Sequence, residues 1–376
     1  MNNPRALYIH IPFCDNICAY CDFYKMKAKP ALKARYIDAL CQEIAASAGM
    51  LTEIKTVYIG GGTPLSVSAA LFMKLLEKLA AYIDLHKLAE FTVEANPNDI
   101  TPEILPLLRF YGVSRINLGV QSFNAGKLKI LGRNHDKKAA IKALRLLRES
   151  GFSNIGVDII YGVDHKDSFR KVKADLRRAL KAGVTHISLY ALILEEKTIL
   201  MRRLNKGLYI PAPDDRQAEI YYRATRYLKR KGLNRYELSN FARSGFESKH
   251  NLVYWNNEHY LGLGAGAAGY LGDIRYVNAR NLETYFGAVN AKKPAYGEHT
   301  KLTLLDKMKE EVILGLRKTE GINTRNFSAK YEKNITEVFP VVEELFEKGL
   351  LKLRGDNLFI PEDKLFLSNE VLINFI

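Results

Sequence analysis

Through the first half of the chain, short runs of β-branched, aliphatic and aromatic residues alternate with longer stretches whose apolar positions recur every three or four residues. The short runs are Leu7–Pro12, Thr56–Ile59, Phe91–Glu94, Arg115–Val120, Ile155–Ile160 and His186–Ala191, each with the length and residue types of a strand. Between them lie amphipathic stretches with helical spacing, including Ala31–Ala48, Ala69–Ile83, Lys137–Ser150 and Phe169–Ala182. This β–α alternation predicts a parallel sheet covered by helices, with right-handed crossovers. A partial barrel and a doubly wound sheet fit the pattern equally well. In both, the chemistry belongs at the C-terminal ends of the strands.

The pattern changes near Pro213. A basic helix over Asp214–Lys231 leads into Tyr236-Glu237-Leu238-Ser239-Asn240-Phe241 and then a polar, aromatic segment from His250 to Tyr270. After Lys301 the chain reads as helices, a short hairpin around Gly355 and a last helix, the outline of a small winged-helix-like module. These shifts divide the chain into 1–212, an α/β unit; 213–300, an extension; and 301–376, a mostly helical C-terminal domain. No run approaches the roughly 18 consecutive apolar residues of a membrane span. The strand-like run begins at Ala6, which leaves no room for a signal peptide ahead of it, so a cytoplasmic protein is expected.

The net charge of +15 fits a lysine-rich solvated surface, or an acidic partner such as an anionic membrane face or a carboxylate-bearing ligand. Signatures of zinc fingers and RNA-recognition folds are lacking, so nucleic acid is not expected as a partner. Cysteine usage is more telling. There are four cysteines, too few for a disulfide framework, and three are clustered as Cys14-x-x-x-Cys18-x-x-Cys21 directly after the first strand. Three thiolates can hold three irons of a [4Fe–4S] cube and leave the fourth iron open. An open iron can take the amino and carboxylate groups of S-adenosylmethionine (SAM), and reduction of the cluster can then release a deoxyadenosyl radical. Structural zinc would need a fourth ligand from His10, Asp22 or a distant residue. Cys41 sits between Leu40 and Ile44 in a helical pattern and reads as a small core residue.

The run Tyr8-Ile9-His10-Ile11-Pro12-Phe13-Cys14, continued by Cys18, Cys21, Asp22 and Phe23, resembles the opening of the oxygen-independent coproporphyrinogen III oxidase-like branch of the radical SAM superfamily. The likeness extends from about residue 6 to the C-terminus and is weakest at that end. It implies a partial parallel (β/α)6 barrel. It also implies that Cys14, Cys18 and Cys21 hold the cluster, and that SAM is contacted by Tyr8, by the loop Gly60-Gly61-Gly62-Thr63, and by Glu94, Gln121, Arg133 and Asp158. The chemistry agrees, since an arginine suits a carboxylate and acids suit ribose hydroxyls or an ammonium.

Within that branch, His250-Asn251-Leu252-Val253-Tyr254-Trp255 resembles the His-Asn-x-x-Tyr-Trp motif of the HemW-like haem chaperones, which the authentic oxidases lack. The oxidases also carry a long N-terminal extension, whereas seven residues precede Tyr8 here. The resemblance therefore implies a haem chaperone that binds a cluster, SAM and haem and delivers haem to acceptor haemoproteins. The excess positive charge would favour peripheral docking at the inner face of a membrane. A radical enzyme, such as the oxidase that decarboxylates coproporphyrinogen III, is the alternative. His250 could ligate haem iron while Tyr254 and Trp255 flank the porphyrin; otherwise the three form a buried aromatic cluster in which His250 only hydrogen-bonds.

The family pattern is broken at three places. Ala268 stands where a histidine is usual, Glu195-Glu196-Lys197-Thr198 replaces a Glu-Pro-Gly-Thr turn, and the usual Leu-Thr-x-x-Gly ending is missing. The run Gly264-Ala265-Gly266-Ala267-Ala268-Gly269 matches a dinucleotide-binding spacing but lacks the acid about 20 residues on, so close backbone packing is expected there.

Overall fold

A computed structural model describes residues 3–376. The six expected strands form, as β1 (Ala6–Ile11), β2 (Thr56–Gly61), β3 (Glu90–Ala95), β4 (Arg115–Gln121), β5 (Asn154–Tyr161) and β6 (His186–Ala191). They are parallel and lie side by side in chain order. A doubly wound sheet reverses its strand order in the middle, so the sequential order selects the partial-barrel arrangement. The covering helices are α1 (Pro30–Ala46), α2 (Ala69–Ala80), α3 (Ile104–Phe110), α4 (Ala125–Leu131), α5 (Lys137–Glu149) and α6 (Phe169–Lys181).

Period-two alternation divides the strand side chains between two environments. One set, including Leu7, Ile9, Ile11, Val57, Ile59, Phe91 and Val93, is fully buried with Tyr36, Leu40, Phe72, Leu75 and Leu79 of the helices. The other set is polar: Tyr8, His10, Tyr58, Glu94, Asn117 and Asp158 bond to one another or to neighbouring strands across the inner face.

Residues 213–300 do not form a separate layer. After α7 (Ile199–Asn205) and α8 (Asp214–Lys229), β7 (Asn234–Arg235) and β8 (Asn240–Ala242) extend the sheet antiparallel beyond β6. The chain then crosses through α9 (Lys249–Trp255) to the far edge. There β9 (Tyr260–Leu263) pairs parallel with β1, followed outward by β10 (Ala268–Leu271), β11 (Ile274–Asn278) and β12 (Tyr296–Lys301), with α10 (Leu282–Asn290) between the last two. The glycine-rich run makes the close packing expected of it. A Cβ on Gly262 would fall 1.9 Å from the Ala268 carbonyl oxygen, and one on Gly264, at φ +96°, 2.5 Å from that of His10.

The crossing helix closes the N-terminal end of the inner face. The buried Glu90 carboxylate, at the start of β3, accepts bonds from Ser248 Oγ (3.1 Å), Lys249 N (2.9 Å) and His250 N (3.2 Å), and so satisfies the first amides of α9. Beyond the sheet, α11 (Leu304–Gly315) opens the C-terminal domain. Its hairpin, Lys352–Arg354 with Asn357–Phe359, turns at Gly355 and pairs with Ile322–Asn323, in agreement with the winged-helix-like outline. Among the described residues no helix is long and apolar enough to cross a membrane.

One buried charge cluster ties the helices to the sheet. Lys127 Nζ on α4 lies 3.1 Å from Asp167 and 3.8 Å from Asp175, and all three side chains are at most 3% exposed. Asp175 also accepts from Ser122 Oγ (2.6 Å) and Phe123 N (3.0 Å) just after β4. Removing the lysine takes the paired cation from buried Asp167 and leaves Asp175 with Arg178 at 3.7 Å. Lys127→Ala is therefore expected to destabilise the fold by about 3–5 kcal/mol, read as a lower urea midpoint; a midpoint unchanged from wild type would show that the cluster does not hold the helices.

Candidate functional site

The parallel register brings the C-terminal ends of all six strands to one mouth, and the cysteine loop lies across it. Two bonds close the base of the loop, Met26 N to Pro12 O (2.7 Å) and Cys14 N to Met26 O (2.9 Å). Its crown is held from two sides. Ala19 N donates to Leu131 O (2.9 Å) and Asn16 Nδ2 to Gly132 O (2.8 Å), while Ala19 O accepts from Leu200 N (2.8 Å). Gly132 ends α4 in the left-handed conformation, and a Cβ there would come 3.0 Å from Ala19 N, so this tight seat needs glycine.

Cys14, Cys18 and Cys21 share a cavity of about 120 Å³ with Gly61, Gly62, Thr63, Glu94, Gln121, Arg133 and Asp158. Tyr8 and Gly60 lie just outside its walls. Tyr8 bonds His10 Nδ1 (2.9 Å), and a Cβ on Gly60 would touch Glu94 at 2.9 Å. Cys41 is remote from this cavity, packed in the core on α1. The three thiols fit a cluster better than a single ion. Zinc draws its ligands to within about 2.3 Å of one point. Three thiols leave one iron of a four-iron cube without a protein ligand, whereas structural zinc wants four ligands. Burial pushes the Cys14 thiol up to about 11 and raises that of Cys21, so cluster assembly must displace protons.

The polar wall is built from the strand ends. Arg133 donates from Nη1 to Cys18 Sγ (3.2 Å) and from Nη2 to Gly119 O (2.6 Å) and Asn96 Oδ1. Glu94 accepts from Tyr58 OH (2.6 Å) and Gly61 N (3.2 Å). Burial pushes its carboxyl up to about 7, and the nearby Asp158 adds to the rise. Asp158, itself raised by burial, accepts from Asn117 Nδ2 at 3.0 and 3.1 Å. Gln121 sits at φ +62° where the β4–β5 register breaks, a conformation unusual for a non-glycine residue and common where a side chain is aimed at a ligand.

Sequence reasoning passed over three supporting residues. Asn96 links Arg133 to Thr63 (Nδ2 to Oγ1, 2.9 Å), Asn117 grips Asp158, and Tyr58 holds Glu94. Asn96 and Asn117 had a readable signal. The first lies two residues beyond Glu94, and the second shares the inward parity of Gly119 and Gln121 on β4.

His250, Tyr254 and Trp255 are at the opposite end of the strands. The His250 ring is fully buried, with Nδ1 bonded to Thr56 Oγ1 and Nε2 to Tyr254 OH, both at 2.8 Å, and with the Tyr58 ring 5.2 Å away. Burial lowers its pKa to about 3. In this geometry neither ring nitrogen is open to iron. The expectation of a haem-ligating His250 therefore meets a packed, hydrogen-bonded corner, and ligation would require one of these bonds to break. Trp255 faces the C-terminal domain, with the Arg317 guanidinium 5.6 Å above its ring.

Comparisons with known proteins agree with this layout. The Radical SAM superfamily profile matches residues 8–172, and the HemN C-terminal domain matches residues 302–363. The heme chaperone HemW of Bacillus subtilis (strain 168) is 38% identical over 378 residues, spanning 99% of this chain and 99% of that protein. The heme chaperone HemW of Lactococcus lactis subsp. lactis (strain IL1403) is 37% identical, spanning 100% and 98%. Among solved structures, the Escherichia coli coproporphyrinogen III oxidase HemN, a radical SAM enzyme, superposes with a TM-score of 0.86 over 99% of this chain and 90% of that one, at 23% identity, a likeness of fold.

Two outcomes follow from the geometry. Alanine at Cys14, Cys18 or Cys21 should abolish iron and sulfide incorporation on anaerobic reconstitution, while Cys41→Ala should keep about four irons per chain; one zinc and no sulfide would refute the site. Glu94, ionised only above about 7, should favour a cationic ligand more as pH rises. The affinity for SAM should thus fall from pH 8 to pH 6 by calorimetry, through a step that Glu94→Gln lacks. A profile identical in the variant would show that Glu94 does not face the ligand.

Proposed function

The chain belongs to the heme chaperone HemW family, and from that membership we propose that it binds a [4Fe–4S] cluster, SAM and haem and delivers haem to acceptor haemoproteins. The observation that carries the reading is the single cavity in which three cysteine thiols meet Glu94, Gln121, Arg133 and Asp158. When bound, the cluster offers one iron without a protein ligand and, on reduction, an electron for cleaving the sulfonium of SAM.

The chain's own residues do the positioning. Arg133 is fixed by Gly119 O and Asn96, so its charge is ready for a carboxylate without further ordering. Glu94 and Asp158 present buried carboxyls to ribose hydroxyls or an ammonium, each already held by Tyr58 or Asn117. The Gly60–Gly62 strand end lets backbone groups approach the ligand, and Gly61, at φ +115°, has no room for a Cβ beside the His10 ring. The +15 net charge supports peripheral docking at an anionic membrane face as the place of delivery.

The oxidase alternative rests on fold alone, and one fold hosts many functions. Anaerobic assay with dithionite and SAM should yield no decarboxylated product from coproporphyrinogen III, whereas the reconstituted protein should retain haem and pass it to an apo-haemoprotein, seen as a shift of the Soret band. Steady turnover of the porphyrinogen without haem retention would reverse the order of the two readings. Arg133→Ala and Asp158→Ala should each weaken SAM binding by about 1.5–3 kcal/mol through loss of a charged hydrogen bond; unchanged affinity in both would remove SAM from this wall.

A further inference from the structure

The inward positions of β4 carry a cation that packing does not account for. Arg115 begins the strand and is 2% exposed. Its Nη2 donates to Asn117 Oδ1 at 3.2 Å, while its Nε and Nη1 have no protein partner among the described residues. The charge of Glu90, on the same face of the neighbouring β3, offsets the guanidinium across the inner face. A guanidinium kept from water with two donors unpaired weakens a fold rather than stabilising it. The chain nonetheless makes room for it. Gly156 on β5 lies opposite Asn117 in the register, and a Cβ there would fall 2.4 Å from Asn117 Oδ1 and 2.8 Å from Arg115 Nη2. A glycine inside a strand at such a close approach leaves the two side chains in contact.

That contact decides which way Asn117 faces. An asparagine amide can sit either way round, and its neighbours choose. Arginine only donates, so the Asn117 atom facing Nη2 is the carbonyl oxygen. The NH2 group is then turned to Asp158, 3.0 and 3.1 Å from its two carboxyl oxygens. An amide the other way round would set its own oxygen against those of Asp158, an arrangement that only a protonated Asp158 could satisfy. Burial raises the Asp158 carboxyl, and bonds from Asn117 and Ser188 together with the charges of Arg115 and Arg133 oppose that rise. Glu94 and the hydroxyls of Tyr20, Tyr58 and Tyr190 also face it. Tyr58 is committed to Glu94, and Arg133 to Gly119, Asn96 and Cys18, so the orientation of Asn117 falls to Arg115.

We infer that Arg115 is a positioning residue for SAM: by fixing the Asn117 amide, it presents Asp158 as a carboxylate to the ribose hydroxyls or the ammonium. The inference rests on the SAM-binding reading above and extends it to a residue outside the walls of the cysteine cavity. A carboxylate held from behind in this way accepts a ligand's hydrogen bonds without reordering.

The test is calorimetric SAM titration of the anaerobically reconstituted full chain, with the iron–sulfur absorbance as the control for folding. Arg115→Met should weaken SAM binding by about tenfold, the loss expected when a hydrogen bond to a charged group is no longer held in place. Arg115→Lys, which keeps one charged donor, should restore most of the affinity. Asn117→Leu should lose affinity to the same extent. Adding Arg115→Met to it should change the affinity by less than about twofold, because the two residues act along one path. Wild-type affinity in a folded Arg115→Met would overturn the inference. So would a second full loss in the double variant, which would mean that the guanidinium acts without Asn117. Should Arg115→Met fail to assemble the cluster, Asn117→Leu and Arg115→Lys decide: wild-type affinity in the first, or a tenfold loss in a folded second, would overturn it. A wild type that binds no SAM would refute the SAM reading itself.

Discussion

The arrangement depends on how the polar inner face of the sheet is satisfied away from water. Buried polar groups cost several kcal/mol each when left unpaired, so a sheet lined by Tyr8, Tyr58, Glu94, Asn117 and Asp158 requires partners for all of them. Within each strand end the solution is lateral: Tyr58 holds Glu94, and Asn117 holds Asp158. At the foot of the strands the solution is α9, whose first amides close on Glu90 and whose His250 bonds Thr56. The two sets meet where the Tyr58 ring, whose hydroxyl holds Glu94, packs 5.2 Å from the His250 ring.

Much of this was legible in the sequence. The six strands appeared within a residue or two of their observed ends because their outward positions are aliphatic and their neighbours punctuated by turns. The doubly wound alternative fell only to strand order, which pairing decides and composition does not show. The cysteine loop was legible because its chemistry is compressed into eight residues. The extension was not. β7 and β8 are two and three residues long, and β9 pairs with β1 across some 250 positions, so nothing local marks them as sheet.

His250 shows where motif reading stops. An imidazole followed by two aromatics suits a porphyrin or a buried corner equally well; the structure packs His250 beneath the strands with both ring nitrogens bonded. Likewise, the oxidase HemN shares nearly the whole fold at 23% identity, whereas the B. subtilis chaperone shares 38% of its residues. A shared backbone does not by itself decide function.

The sealed floor also dictates traffic. With α9 closing the far end of the strands, the cysteine cavity opens at their C-terminal ends alone, so a ligand of that cavity arrives and departs on the side where the cysteine loop lies.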